Sequence, residues 1–103
     1  MIETSGKMNL ESRPQRVAAI LYWEQPDQSE AVLVKTLEQS KLLNATGRMI
    51  WSLCDGTCTG ADILRELQTQ FEDVDVNTLA HDMNQFLDEL LSQDYLWIPG
   101  SLP

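Results

Sequence analysis

Histidine, cysteine and basic side chains are scarce in this chain. One histidine, His81, and two cysteines, Cys54 and Cys58, are all that its 103 residues offer as soft metal ligands or strong nucleophiles. The cysteines stand four positions apart, which is not the usual zinc-knuckle spacing, and no second Cys or His pair completes four ligands. A hydrolase triad would need His81 beside a nucleophile and an orienting acid. Its neighbour Asp82 does not serve, because adjacent residues of a helix point in different directions. G-x-S-x-G, the P-loop and G-x-G-x-x-G do not occur. The expectation is therefore a protein that is not an enzyme and carries no cofactor and no metal.

Positive charge is the second shortage. Seven Lys and Arg face sixteen Asp and Glu, for a formal net charge of -9. Such a field repels phosphate backbones and anionic membranes and suits a basic peptide or protein partner, although solubility alone also favours acidic surfaces. No early basic segment leads into a sustained apolar run, so no signal peptide is expected. No run approaches the roughly 20 apolar residues that cross a bilayer. The cytoplasm is the expected compartment.

The length leaves room for one domain with one modest core. Residues 1–15 are polar and aperiodic and predict a flexible N-terminal tail. The run RVAAILYWE, Arg16 to Glu24, reads as a strand, and QPDQSE after it has the residues of a turn. EAVLVKT, Glu30 to Thr36, alternates as a second strand. LEQS turns the chain again, and Lys41 to Leu43 form a short third strand. The rest is helical. Asn44 or Thr46 caps a first helix that buries Ile50, Trp51, Leu53 and Cys54, and Asp55-Gly56 stops it. Thr59 with Asp62 approximates a capping box for a second helix, lined by Ile63, Leu64, Leu67 and Phe71. Val76 to Gln93 form a third. At about 100° per residue, Val76, Leu79, Ala80, Met83, Phe86, Leu87, Leu90 and Leu91 share an arc of roughly 140°. That arc is wider than a two-helix seam needs. Two readings account for that width. Either the whole arc packs on the sheet and the other helices, or one edge, around Ala80, Leu87 and Leu91, lines a groove for a partner. The sequence does not divide the arc between them. The tail YLWIPGSLP either lies as a last extended segment against the domain or projects as a contact arm.

Three strands followed by three helices make an α+β chain of the winged helix-turn-helix type, which raises DNA binding. The third helix carries Asp82, Asp88 and Glu89 and no Lys or Arg, and the second offers only Arg65. An element meant to enter a groove would be repelled by it, so no nucleic-acid partner is expected.

Ordered positions then suggest a family. Leu42-Leu43-Asn44, Thr46-Gly47, Ile50-Trp51, Leu53 and Asp55-Gly56 resemble the core of the PqqD-like family. Ile63 and Leu67 continue it, as do Asp82-Met83, Phe86-Leu87 and Leu90 in the last helix. The resemblance covers residues 16–96 and divides the chain into an N-terminal tail (1–15), a recognition domain (16–96) and a C-terminal tail (97–103). One departure stands at Gln93-Asp94-Tyr95-Leu96, where the family commonly has a glycine before the last apolar pair.

The resemblance implies a peptide chaperone, a RiPP recognition element. Such a domain binds the leader of a ribosomally made precursor peptide and presents it to a modifying enzyme, such as a radical SAM protein or a peptidase or cyclase. In PqqD itself the route is pyrroloquinoline quinone biosynthesis. The family's leader adds as a strand to the third strand, beside the third helix. Carried onto this chain, the strand is Ser40, Lys41, Leu42 and Leu43. The helix wall draws on Ala80, Asp82, Met83, Asn84, Leu87 and Leu91, with Asp82 placed to pair with a leader residue. The physics agrees: an edge strand has unpaired donors and acceptors, and adjoining pockets supply preference. The assembly is expected to be a monomer or a homodimer. A second reading, from the residues alone, is a winged-helix dimerisation or regulatory module that does not bind DNA.

Overall fold

A computed structural model describes residues 11–25 and 30–99. Its elements run β1 (Gln15–Arg16), β2 (Leu21–Glu24), β3 (Ala31–Thr36), β4 (Gln39–Leu43), α1 (Ala45–Leu53), α2 (Gly60–Gln70), α3 (Val76–Ser92) and β5 (Leu96–Trp97). β2, β3 and β4 form an antiparallel sheet in that order, with Trp23 opposite Val32 and Val32 opposite Leu42. The α+β architecture of three helices and a three-stranded sheet is the one expected.

The first strand is shorter than its sequence suggests. Arg16 to Glu24 breaks into two pieces because the chain turns at Val17–Ile20, where the Ile20 N–H donates to the Val17 carbonyl. The N-terminal piece joins β5 instead, pairing Gln15 with Trp97 and Arg16 with Leu96. Residues 1–10 and most of the QPDQSE turn lie outside the described residues. The segment just before β1 is tied to the domain. Pro14 is fully buried, the Gly60 N–H donates to the Ser12 carbonyl, and the Gly56 N–H donates to that of Pro14. The boundary expected after residue 15 thus falls inside a paired strand.

Local chemistry sets each helix end. The Asn44 side chain accepts from the Gly47 N–H at 2.8 Å and caps α1. Cys54 ends α1, and Gly56, at φ +86°, makes the left-handed turn that follows. The Arg16 guanidinium donates to the carbonyls of Trp51 and Ser52 in the last turn, the first of which also accepts from the Cys54 N–H, and its charge suits that helix end. Thr59 and Asp62 form a reciprocal capping box on α2, so the aspartate does the work more often given to Glu or Gln. Asp75 caps α3. At its other end the Tyr95 N–H donates to the Leu90 carbonyl and the Asp94 N–H to that of Leu91. Asp94 there takes φ +65°. This is the paired closure that usually falls to glycine, at the position where this sequence departs from the family pattern.

The core lies between the sheet and the helices. Ala31, Leu33 and Leu43 contribute from the strands, Ile50, Trp51, Ile63 and Leu67 from α1 and α2, and Leu79, Met83, Leu87, Leu90 and Leu91 from α3. Truncating one such residue to Ala would cost about 2–5 kcal/mol, a large share of the stability of a domain this size. Tyr95 and Leu96 close the core from the C-terminal side. A Tyr22, Glu24 and Arg48 cluster pins β2 to α1. The tyrosine hydroxyl and the guanidinium both donate to the same carboxylate oxygen, each at 2.8 Å. The Tyr22 hydroxyl, then Arg48, hold the Glu24 carboxyl below its ordinary value.

Candidate peptide-binding cleft

β4 leads straight into the α1 cap. Alternation turns Leu43 into the core and Lys41 towards α3, while Leu42 and Ser40 face the other side of the sheet. Among the described residues, β4 pairs only with β3, so its outer edge presents free backbone donors and acceptors.

Beside that edge runs α3, and the two are bridged by an ion pair between Lys41 Nζ and the Glu89 carboxylate. The space between them is a cavity of about 320 Å³ lined by Glu30, Lys41, Leu42, Leu43, Asn44, Phe86 and Glu89. A second cavity, of about 390 Å³, continues between the three helices. Its walls include Gly47, Ile50, Leu67, Phe71, Leu79 and Met83, and Asp82 and Gln85 line it as well. Asn44, Phe86 and Glu89 line both. Phe86 therefore stands where a strand-edge groove passes into a deeper apolar chamber. Gly47 makes room for it, since a Cβ there would come within 3.3 Å of the ring.

Charge in the cleft is lopsided. Glu30, Asp82 and Glu89 line it against one cation, Lys41, which is already engaged with Glu89. The arrangement suits an extended chain with an apolar side chain to bury and a basic one near the rim. Among the described residues no group of three or more His, Cys, Asp or Glu could hold a metal ion, and His81 is exposed. Burial pushes the Cys54 thiol up to about 12, and its Sγ donates to the Ile50 carbonyl.

The residues singled out from sequence divide into three sets. Ser40, Lys41, Leu42 and Leu43 lie together on β4, and Asp82 lines the helical chamber. Met83 and Leu87 have 0% exposure and Leu91 is buried with them, so these three are core residues, and only Met83 reaches a cavity wall. Ala80 and Asn84 are half-buried and line neither cavity. The residues that sequence reasoning passed over are Asn44, Gln85, Phe86 and Glu89. A signal for them existed: Asp82, Gln85, Phe86 and Glu89 stand at i, i+3, i+4 and i+7, one stripe along the opposite margin of the apolar arc.

The family model for coenzyme PQQ synthesis protein D (PqqD) matches residues 26–96, more than half of the chain. This chain belongs to the PqqD family. No curated protein matches it in sequence. Among solved structures, TbiB1 in complex with the TbiA(beta) leader peptide is similar, with a TM-score of 0.67 and 23% identity. The match covers 86% of this chain and 99% of that one, so the PqqD-family chain and TbiB1 share a fold. Among the described residues no helix is long and apolar enough to cross a membrane.

Proposed function

We propose that this PqqD-family chain is a peptide chaperone. It binds the leader segment of a ribosomally made precursor peptide as a strand added to β4 and presents the rest of the peptide to a modifying enzyme. The observation that carries the reading is the unpaired edge of β4 running beside a cleft that opens at Phe86 into an apolar chamber. Main-chain pairing along β4 supplies affinity that is nearly blind to sequence, and the chamber and acidic rim supply preference. The similar structure TbiB1 is itself in complex with a leader peptide, which supports the same use of the fold here.

The mechanism is binding without catalysis, as in PqqD-like proteins generally, which act as leader-peptide partners. Held by its leader, the peptide's remaining segment meets the enzyme at an effective concentration set by the linker between them. The groove wall on α3 is Asp82, Gln85, Phe86 and Glu89, and the strand is Ser40 to Leu43. The recognition domain comprises residues 16–96 together with Ser12–Gln15 and Trp97, which pair with it or cap it. It works in the cytoplasm, where its ribosomally made ligand is released. The alternative of a dimerisation module seamed along α3 is disfavoured, because Leu79, Met83, Leu87, Leu90 and Leu91 are already covered by the chain's own core.

The test is titration of labelled leader peptides encoded beside this chain, followed by fluorescence anisotropy. Phe86→Ala should weaken binding about 30-fold, the loss of an aromatic anchor worth roughly 2 kcal/mol. Ala80→Gln, on the far margin of α3, should bind within about twofold of wild type. Wild-type affinity in a folded Phe86→Ala protein would remove the cleft from consideration.

A further inference from the structure

Among the described residues, the outer face of the sheet is uncovered and apolar. Cross-strand neighbours share a face, so the pairing of Trp23 with Val32 and Val32 with Leu42 forms one apolar row across three strands. Leu21, Val34 and Ser40 form the next. Trp23 is 68% exposed, Leu21 66% and Leu42 58%, while the opposite face buries Ala31, Leu33 and Leu43 against the helices. The charged side chains of these strands all turn inward: Glu24 to Arg48, Lys35 to the Gln93 carbonyl and Lys41 to Glu89. In a chain of net charge -9, two adjoining solvent-facing rows with no ionisable side chain in either are an unusual arrangement. Nothing in the packing of the described residues requires it.

We propose that this face docks the peptide-modifying enzyme, through an apolar patch on that enzyme set within a basic surround. The proposal rests on the leader reading above and adds the second surface that a chaperone of this kind needs. Three observations choose this occupant. The first is area: three side chains at about two-thirds exposure and two half-buried valines offer on the order of 450 Å². That is well short of the roughly 800 Å² that each partner in a stable complex gives up. A lasting homodimer is therefore undersupplied, whereas a transient encounter is not. The second is continuity. Leu42 presents its side chain to this face while its backbone lies on the β4 edge, so a leader added there extends the same face by one strand. An enzyme docked on the sheet would meet the leader and the chaperone together. The third is charge: a second copy brings another -9, and a basic partner is drawn in.

The experiment uses the full chain and, as probe, the purified peptide-modifying enzyme encoded beside it, labelled and titrated by anisotropy. Trp23→Lys and, separately, Leu21→Lys should each weaken enzyme binding by about tenfold or more. Both positions are exposed, so melting curves should stay near wild type, and leader affinity should remain within about twofold. Enzyme binding unchanged in both variants overturns the docking surface. So does sedimentation that shows a wild-type dimer which Trp23→Lys converts to monomer, since the face then belongs to a second copy. Leader titration is read in the same samples. A wild-type chain that binds enzyme through this face but no leader supports the surface and refutes the leader reading alone.

Discussion

Replacing Asp94 with glycine should stabilise this protein. Asp94 follows α3 at φ +65° and carries the double hydrogen-bonded closure, Tyr95 N–H to the Leu90 carbonyl at 2.9 Å and its own N–H to that of Leu91 at 3.2 Å. A residue with a Cβ pays about 1–2 kcal/mol to sit in this conformation, with Asp near the low end because its short polar side chain bonds locally. Glycine removes that strain. Two effects oppose the gain. The exposed Lys35 to Asp94 pair, at 4.0 Å, is lost, which costs at most a few tenths of a kcal/mol. Glycine also frees the unfolded chain, at about 0.4–1 kcal/mol. The stronger Lys35 contact, 2.7 Å to the Gln93 carbonyl, survives because it is made to backbone. With each opposing effect at the low end of its range, the balance is a gain of about 0.3 kcal/mol, or roughly 1–2 °C in Tm for a domain of this size. Asp94→Val supplies the contrast: a β-branched side chain in the left-handed region should lower stability by about 1–2 kcal/mol. Calorimetry at neutral pH on the three proteins should rank them Gly, Asp, Val. Melting of the glycine variant below wild type, or a valine variant equal to it, would refute the argument from backbone strain.

Glu89→Lys should leave the fold nearly as stable, since the Lys41 pair is at the surface and worth at most about 1 kcal/mol. It should weaken a leader bearing Lys or Arg about tenfold or more, an effect that shrinks at high salt; equal affinity at low salt would remove charge from the specificity of the cleft. Glu24, Asp55 and Asp62 all have folded pKa values below their ordinary ones, Asp62 chiefly through the Thr59 backbone N–H and Asp55 through the Thr57 hydroxyl. The folded state therefore holds these protons less tightly than the unfolded one. Their stabilisation is complete above the ordinary values of 4.5 and 3.8 and is lost as pH falls through the lower folded values. Acid melts of Tyr22→Phe should show a smaller loss over that window than wild type, and an unchanged acid profile would discount the hydroxyl. Alkylation followed by mass spectrometry should label half-exposed Cys58 in the native protein and spare Cys54, whose thiol is buried and pushed up to about 12, until the chain unfolds.

Where the sequence speaks through local chemistry, it was readable residue by residue. Asn44, Thr59 with Asp62, and Asp55-Gly56 mark their helix ends because a cap or a left-handed turn needs only neighbours within one turn. β3 and β4 were legible from alternation. The break at Val17–Ile20 was not, because Gln15 and Arg16 are drawn away by Leu96 and Trp97, about 80 positions later in the chain, and no local pattern carries that pairing. The same limit governs the cleft. The apolar arc of α3 was visible, but which margin of it meets β4 depends on how the helix rolls over the sheet. Phe86 lay at one margin and Ala80 at the other, and the Lys41 to Glu89 bridge, with Phe86 lining both cavities and Ala80 neither, distinguishes them. Glu89 by itself resembles any solvated carboxylate until the lysine across the cleft is seen.

The ribbon of β1 and β5 sets Gln15 against Trp97 and Arg16 against Leu96. At this ribbon the incoming and outgoing stretches of backbone lie about one strand spacing apart, just inside the Ser12–Pro14 segment that ties the incoming chain to the domain. A fold wired in this way behaves as a cassette. It can be spliced into a surface loop of a larger protein with two short connectors, and neither the β4 edge nor the α3 wall need move to admit the join. Fusion to an enzyme, or independence from one, then becomes a matter of what is attached at that clasp, with no change to the binding cleft.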